Sequence, residues 1–169
     1  MNRRDVLTVG AGLALSTTLA GCFSVEQNES ESASDDTEPT TTDDDSELDL
    51  REANVVSVAV DDSDGASTFT VGLYHDDAGE EGYADWWQVE TIDGTQLGRR
   101  DLTHPHDQQP FERPGTIEIP DDVTCVVVRG HDQTHGYGGQ AMLVGIPDGE
   151  TATARQGSDR QAFDESDCP

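Results

Sequence analysis

The sequence has no lysine. Its 169 residues carry nine basic side chains, all arginine, against 36 Asp and Glu, for a formal net charge of −27. Nucleic acid is thereby excluded as an electrostatic partner, because contact with phosphates needs clustered Lys and Arg. An anionic membrane surface would repel the body of the chain for the same reason. Apolar material is scarce as well, with 33% hydrophobic and 5% aromatic residues, and the length allows one domain, or one domain plus a tail. None of the three cysteines forms a C-x-x-C pair and no G-x-S-x-G occurs, so a serine or cysteine hydrolase has no local support. Gly136-Tyr137-Gly138-Gly139-Gln140-Ala141 matches G-x-G-x-x-A. Pro147 and the short apolar run beyond it leave no helix there to hold a dinucleotide. A calcium loop aligned on Gly65 would place Val60 at its first ligand position and Val71 at its twelfth, which excludes an EF-hand.

What is present speaks first of salt. Exposed charges interact across a Debye length of about 10 Å at 0.1 M salt and about 3 Å at 1 M. A fold this acidic repels itself in dilute buffer and is relieved in brine. Carboxylates hold water and cations better than lysine stems do. The composition is that of a halophile, and an archaeal one is expected.

Residues 1–21 read as an export signal. Arg3-Arg4 followed by Asp5-Val6-Leu7 resembles the twin-arginine motif, which implies the twin-arginine export machinery as a partner. The stretch 6–20 is diluted by Gly10, Gly12, Ser16, Thr17 and Thr18, too short and polar for a span of roughly 20 residues. It ends in Leu19-Ala20-Gly21-Cys22, which resembles a lipobox. That resemblance implies cleavage before Cys22, a lipid on its thiol, and a membrane-anchored domain facing the outside. Residues 22–50 form the expected tether. From 23 to 50 it holds eleven carboxylates, nine Ser or Thr and no basic residue, a composition that remains disordered and extended. Asn28-Glu29-Ser30 fits an N-glycosylation acceptor at Asn28.

From residue 51 to 149 short apolar runs alternate with turn signals, and 150–169 reads as a loose polar tail. The runs are 55–60, 68–74, 85–92, 96–102, 116–119, 123–129 and 140–146. Phe69, Val71 and Leu73 alternate with Thr68, Thr70 and Gly72, the period of a half-buried strand. Asp93-Gly94 signals a hairpin, and no ten-residue stretch has capped helical periodicity. Seven strands at this spacing predict an all-β, immunoglobulin-like antiparallel sandwich; a small barrel is the alternative.

If successive strands run antiparallel, the connections after the second, fourth and sixth lie at one end. Those connections hold all five histidines: His75, His104, His106, His131 and His135. Imidazoles from separate loops can hold Cu, Zn or Fe. His104-Pro105-His106 is H-x-H, and His131 and His135 frame an H-x3-H in which Asp132 could ligate or orient an imidazole. The alternative is that His104-Pro105-His106 shapes a rigid loop with Pro110 and Pro114, while His131 and His135 stabilise a hairpin by hydrogen bonds.

Tyr83-Ala84-Asp85-Trp86-Trp87, His104-Pro105-His106, Gln109-Pro110-Phe111 and His135-Gly136-Tyr137-Gly138-Gly139 resemble an uncharacterised secreted β-sandwich family of prokaryotes. The likeness covers roughly residues 53–147 and implies no particular activity. More distantly, His75, Tyr83 to Trp86 and His135-Gly136 are similar to the iron-binding domain of superoxide reductases, which implies a redox metalloenzyme on an immunoglobulin-like fold. Gly82 stands where that family has a ligand His before the Tyr. Asp132 stands where its axial Cys would be, so the resemblance carries the fold further than the reaction.

With Cys22 taken by lipid, Cys125 and Cys168 remain. They are either a disulfide that pins the tail, or Cys125 is a buried free thiol among valines.

Overall fold

Strict alternation of Phe69, Val71 and Leu73 with small polar residues buries one face of a strand and leaves the other to solvent. The computed structural model has all three fully buried. It describes residues 48–63, 66–76, 79–146 and 148–169; the expected export signal, lipidation at Cys22 and glycosylation at Asn28 lie outside the described residues.

The described residues form nine strands: β1 (Asn54–Ser63), β2 (Ala66–Tyr74), β3 (Ala84–Thr91), β4 (Gln96–Asp101), β5 (Phe111–Ile117), β6 (Cys125–Asp132), β7 (Gly136–Tyr137), β8 (Gln140–Gly145) and β9 (Thr151–Arg155). A short 3-10 turn, Glu165–Asp167, is capped by Asp164, and there is no α-helix among the described residues. Every strand pairing is antiparallel. Sheet A has the order β1-β2-β5. Sheet B runs β4-β3-β6-β8-β9, with β7 paired to the end of β6. Three strands facing β4-β3-β6-β8 make an immunoglobulin-like sandwich.

The core between the sheets takes Val55, Phe69, Val71, Leu73, Trp87, Val89, Val126, Val128, Met142 and Val144. The hairpin at Asp93-Gly94 joins β3 to β4, and Gly94 has φ +90°, which glycine adopts without steric cost.

Two differences from expectation have physical causes. β5 begins at Phe111, five residues before the expected start, because its prolines read as loop signals. Pro114 pairs with Thr70 on an edge strand, the place in a sheet where proline is tolerated. The second correction concerns 150–169, expected as a loose tail. Thr151–Arg155 instead forms β9, and the rest crosses the outer face of sheet B as a strap.

That strap covers a second apolar cluster of Cys125, Val127, Ala141 and Leu143, against which Ile92, Ala154 and Phe163 pack. It is fixed by a Cys125–Cys168 disulfide, which decides the pairing left open above. It also covers a buried ionic network. Arg129 and Glu90 are each 1% exposed and meet at 2.9 Å. Arg129 Nη2 donates to the Gln161 carbonyl at 2.7 Å, and its guanidinium lies 4.9 Å from the Phe163 ring. Arg160 reaches the same carboxylate at 3.0 Å, and Gln88 donates to it from β3. Because β6 and β8 are covered on both faces, their sequences are continuous apolar runs rather than alternating ones.

Candidate functional site

The three histidine-bearing connections share one end of the sandwich. β2 delivers His75 there, 1% exposed, with Nε2 3.0 Å from the Arg51 carbonyl. The backbone N–H of His75 donates to Gln109 Oε1 at 3.1 Å, and Gln109 Nε2 donates to the His106 carbonyl at 3.0 Å. One glutamine thus fastens the loop after β4 to the end of β2. The Gln109–Pro110 bond in that loop is cis.

Beyond Gln109, His106 stacks on Phe111 with ring centroids 3.7 Å apart and planes within 8°. His104, exposed, is 4.9 Å further out, and the Arg113 guanidinium sits 5.5 Å from the Phe111 ring. This stack walls an open groove of about 680 Å³, whose other lining groups include Ser57, Asp107 and Glu112.

Asp132 marks a second setting. It is fully buried, and its Oδ1 accepts the backbone N–H groups of Thr134 at 2.7 Å and His135 at 2.6 Å. His135 Nδ1 lies 3.3 Å from the same oxygen, and His75 Nε2 is 4.0 Å from Oδ2. A short polar side chain that ties down the two residues after it is the usual device of an Asx turn.

His131 occupies a third setting, over β3 of sheet B. Its Nδ1 is 2.7 Å from Asp85 Oδ1, and its ring stacks on Trp86 at 4.3 Å. Arg99 lies 3.8 Å from the indole centroid, and Tyr137 meets both rings edge-on at 5.5 and 5.7 Å.

The expected copper, zinc or iron centre is therefore not assembled. Among the described residues no three His, Cys, Asp or Glu side chains are grouped to hold a metal ion. His75, Asp132 and His135 are brought together, whereas His104 with His106 and His131 with Asp85 stand in settings of their own. His131 is bonded to Asp85 on β3 and not within the last hairpin, and Pro114, expected in a rigid loop with His104-Pro105-His106, lies in β5. These residues do not fit the iron centre implied by the superoxide reductase likeness. Sequence reasoning missed Gln109, the Asp85–His131 pair and the Arg99–Trp86 stack. Only the last carried a signal, since Arg99 faces Gln88 across β3 and β4, two residues along the same face from Trp86, once those strands are paired.

The fold and this end define a class: an immunoglobulin-like sandwich, closed by one disulfide, with a polar and aromatic end. No protein-family model matches the chain, and no solved structure matches it. A protein of Halomicrobium mukohataei named "Putative lipoprotein" is 57% identical over 145 residues, 85% of this chain and 69% of the relative. The chain belongs to the family of that lipoprotein. No helix among the described residues is long and apolar enough to cross a membrane.

Proposed function

We propose that this chain is an outward-facing, lipid-anchored module of a haloarchaeal cell envelope that binds a partner at its histidine end. The observation that carries the reading is the Cys125–Cys168 disulfide, a bond that persists in oxidising, extracytoplasmic surroundings. The lipobox and the lipoprotein relative supply the anchor, with Cys22 as the lipidated residue and 23–50 as the spacer. Arg3-Arg4 addresses the chain to the twin-arginine machinery, which exports folded proteins, and Asn28 is the candidate glycosylation acceptor. The groove beside His104, Phe111 and Arg113 is the face offered to a partner. A redox metal centre has no part in this reading, because the imidazoles are engaged in separate structural settings.

The test is fractionation of a halophilic host expressing Cys22→Ser. The variant is expected in the medium with its disulfide formed, while the wild type stays with the membrane. Replacement of Arg3 and Arg4 by Lys should retain the chain inside, with thiols open to alkylation. A Cys22→Ser protein that still sediments with membranes would refute the anchoring.

A further inference from the structure

The Cys125–Cys168 bond comes last along a segment that sheet B already holds at four earlier points. Gln156 and Gly157 donate their backbone N–H groups to the Gly139 carbonyl at 2.8 and 3.2 Å, and Gln156 Nε2 donates to the Gly138 carbonyl at 2.7 Å. Arg160 Nη2 lies 3.0 Å from Glu90 Oε2 on β3. The Gln161 carbonyl accepts from Arg129 on β6 at 2.7 Å. Phe163 packs on the outer apolar cluster. Asp164 then caps the turn Glu165–Asp167, which delivers Cys168. None of these contacts requires a bond between the sulfurs.

The core between the sheets does not require it either, since no member of that core lies beyond Ile146. Ion pairs and apolar burial form as the chain folds, whereas a disulfide forms only by exchange with an oxidant. The two cysteines line an open groove of about 710 Å³ at the end opposite the histidines, between Ile92, Val123 and Ile146. Cys125 is buried in β6 and Cys168 is half-buried. A reagent in the groove therefore meets Cys168 first.

We propose that Cys125 and Cys168 are oxidised on the already folded domain by an external disulfide that enters this groove, with the docked strap as template. Cys168, as thiolate, attacks one sulfur of the oxidant, expels the other as a thiolate and is left in a mixed disulfide. The Cys125 thiolate then attacks Cys168 Sγ and expels the second sulfur. The two cysteines lose two electrons, the external disulfide gains them, and the two cysteine protons pass to the released thiolates. Docking holds Cys125 at the mixed disulfide above the roughly millimolar effective concentration of a short flexible linker, so the second step outruns the first. Twin-arginine export, as read above, moves folded chains; this order lets the chain cross with its strap docked and receive the bond outside. The templating itself does not rest on that reading and is tested on purified protein.

The full chain carrying Cys22→Ser, reduced and freed of reductant in molar KCl, is mixed with cystamine, and its thiols are trapped by alkylation for mass spectrometry. Closure without accumulation of a mixed disulfide is expected. Adding Arg160→Ala and Phe163→Ala should slow closure by about tenfold or more and let the adduct on Cys168 accumulate, with the sandwich still folded by circular dichroism. Adding Cys125→Ser alone should give an adduct at Cys168 faster than Cys168→Ser alone gives one at Cys125. With both cysteines replaced by Ser, nuclear Overhauser contacts between the Phe163 ring and the outer apolar cluster should persist. Loss of those contacts overturns the proposal, because the strap would then depend on the bond. Adduct accumulating in the parent chain, equal closure rates in the parent and the Arg160→Ala, Phe163→Ala chain, or faster reaction at Cys125 overturns it as well.

Discussion

Replacing Glu90 by Ala would test what holds the strap to sheet B. Glu90 and Arg129 are each 1% exposed and 2.9 Å apart. Deleting the carboxylate leaves a guanidinium beneath the strap, still bonded to Gln156 and the Gln161 carbonyl but with its closest counter-charge gone. Burial pushes Arg129 toward deprotonation and Glu90 opposes that, so the variant loses the opposing influence and keeps the penalty. Breaking a buried pair from one side costs about 3–5 kcal/mol, a large share of the roughly 5–15 kcal/mol that stabilises a domain. Arg160, 39% exposed, faces solvent screening, and Arg160→Ala should cost no more than about 1 kcal/mol. The assay is denaturant unfolding at several salt concentrations. Salt screens surface charges far more than buried ones, so the Glu90→Ala penalty should persist into brine. The exposed Arg51–Asp49 pair at 2.5 Å should by contrast contribute nothing measurable there. Glu90→Leu combined with Arg129→Met should recover part of the loss. A Glu90→Ala cost under about 1 kcal/mol, or one that fades with salt like a surface pair, would refute the reasoning.

The disulfide and the acid limb offer further checks. Cys125 and Cys168 are 43 residues apart, and replacing both by Ser should cost about 4 kcal/mol on the chain-entropy model; an unfolding midpoint unmoved by this change or by reductant contradicts the role given to the bond. Asp93 is held below its ordinary value of 3.8 by hydrogen bonds from the Thr91 hydroxyl and the Thr95 N–H. Its folded pKa is thus the lower one, so its contribution is complete above the unfolded pKa and is lost as pH falls through the folded value. Asp93→Asn should flatten the acid limb of a stability profile between those two values. A limb identical to that of the wild type would exclude this assignment.

The fold was legible wherever one face of a strand meets solvent. Phe69, Val71 and Leu73 announced β2 by alternation, and Asp93-Gly94 announced its hairpin. β9 was not legible, because Thr151–Arg155 has two alanines as its only inward-facing residues, too little apolar signal to stand out from a tail. The grouping of histidines at one end followed from strand parity alone, but their separation into three settings did not. That outcome depends on Gln109, Asp85 and Phe111, whose positions beside His75, His131 and His106 arise only when the loops close. Glu90 and Arg129 were hidden for a related reason: a charged residue in a strand reads as solvent-facing until something folds over it, and here the cover comes from far along the chain.

The disulfide also relocates where the domain can be pulled. Tension on the N-terminal approach to the sandwich enters at Asn54, at the histidine end of β1. Tension on the C-terminal segment bypasses β9 and is delivered at Cys125, where β6 starts at the opposite end. The line between these points runs nearly parallel to the strands. The ladders flanking β1 and β6 then resist in shear, many bonds at once, rather than unzipping one at a time. A load applied between the N-terminal approach to β1 and the C-terminal segment is, by this geometry, carried along the strong axis of the sheets.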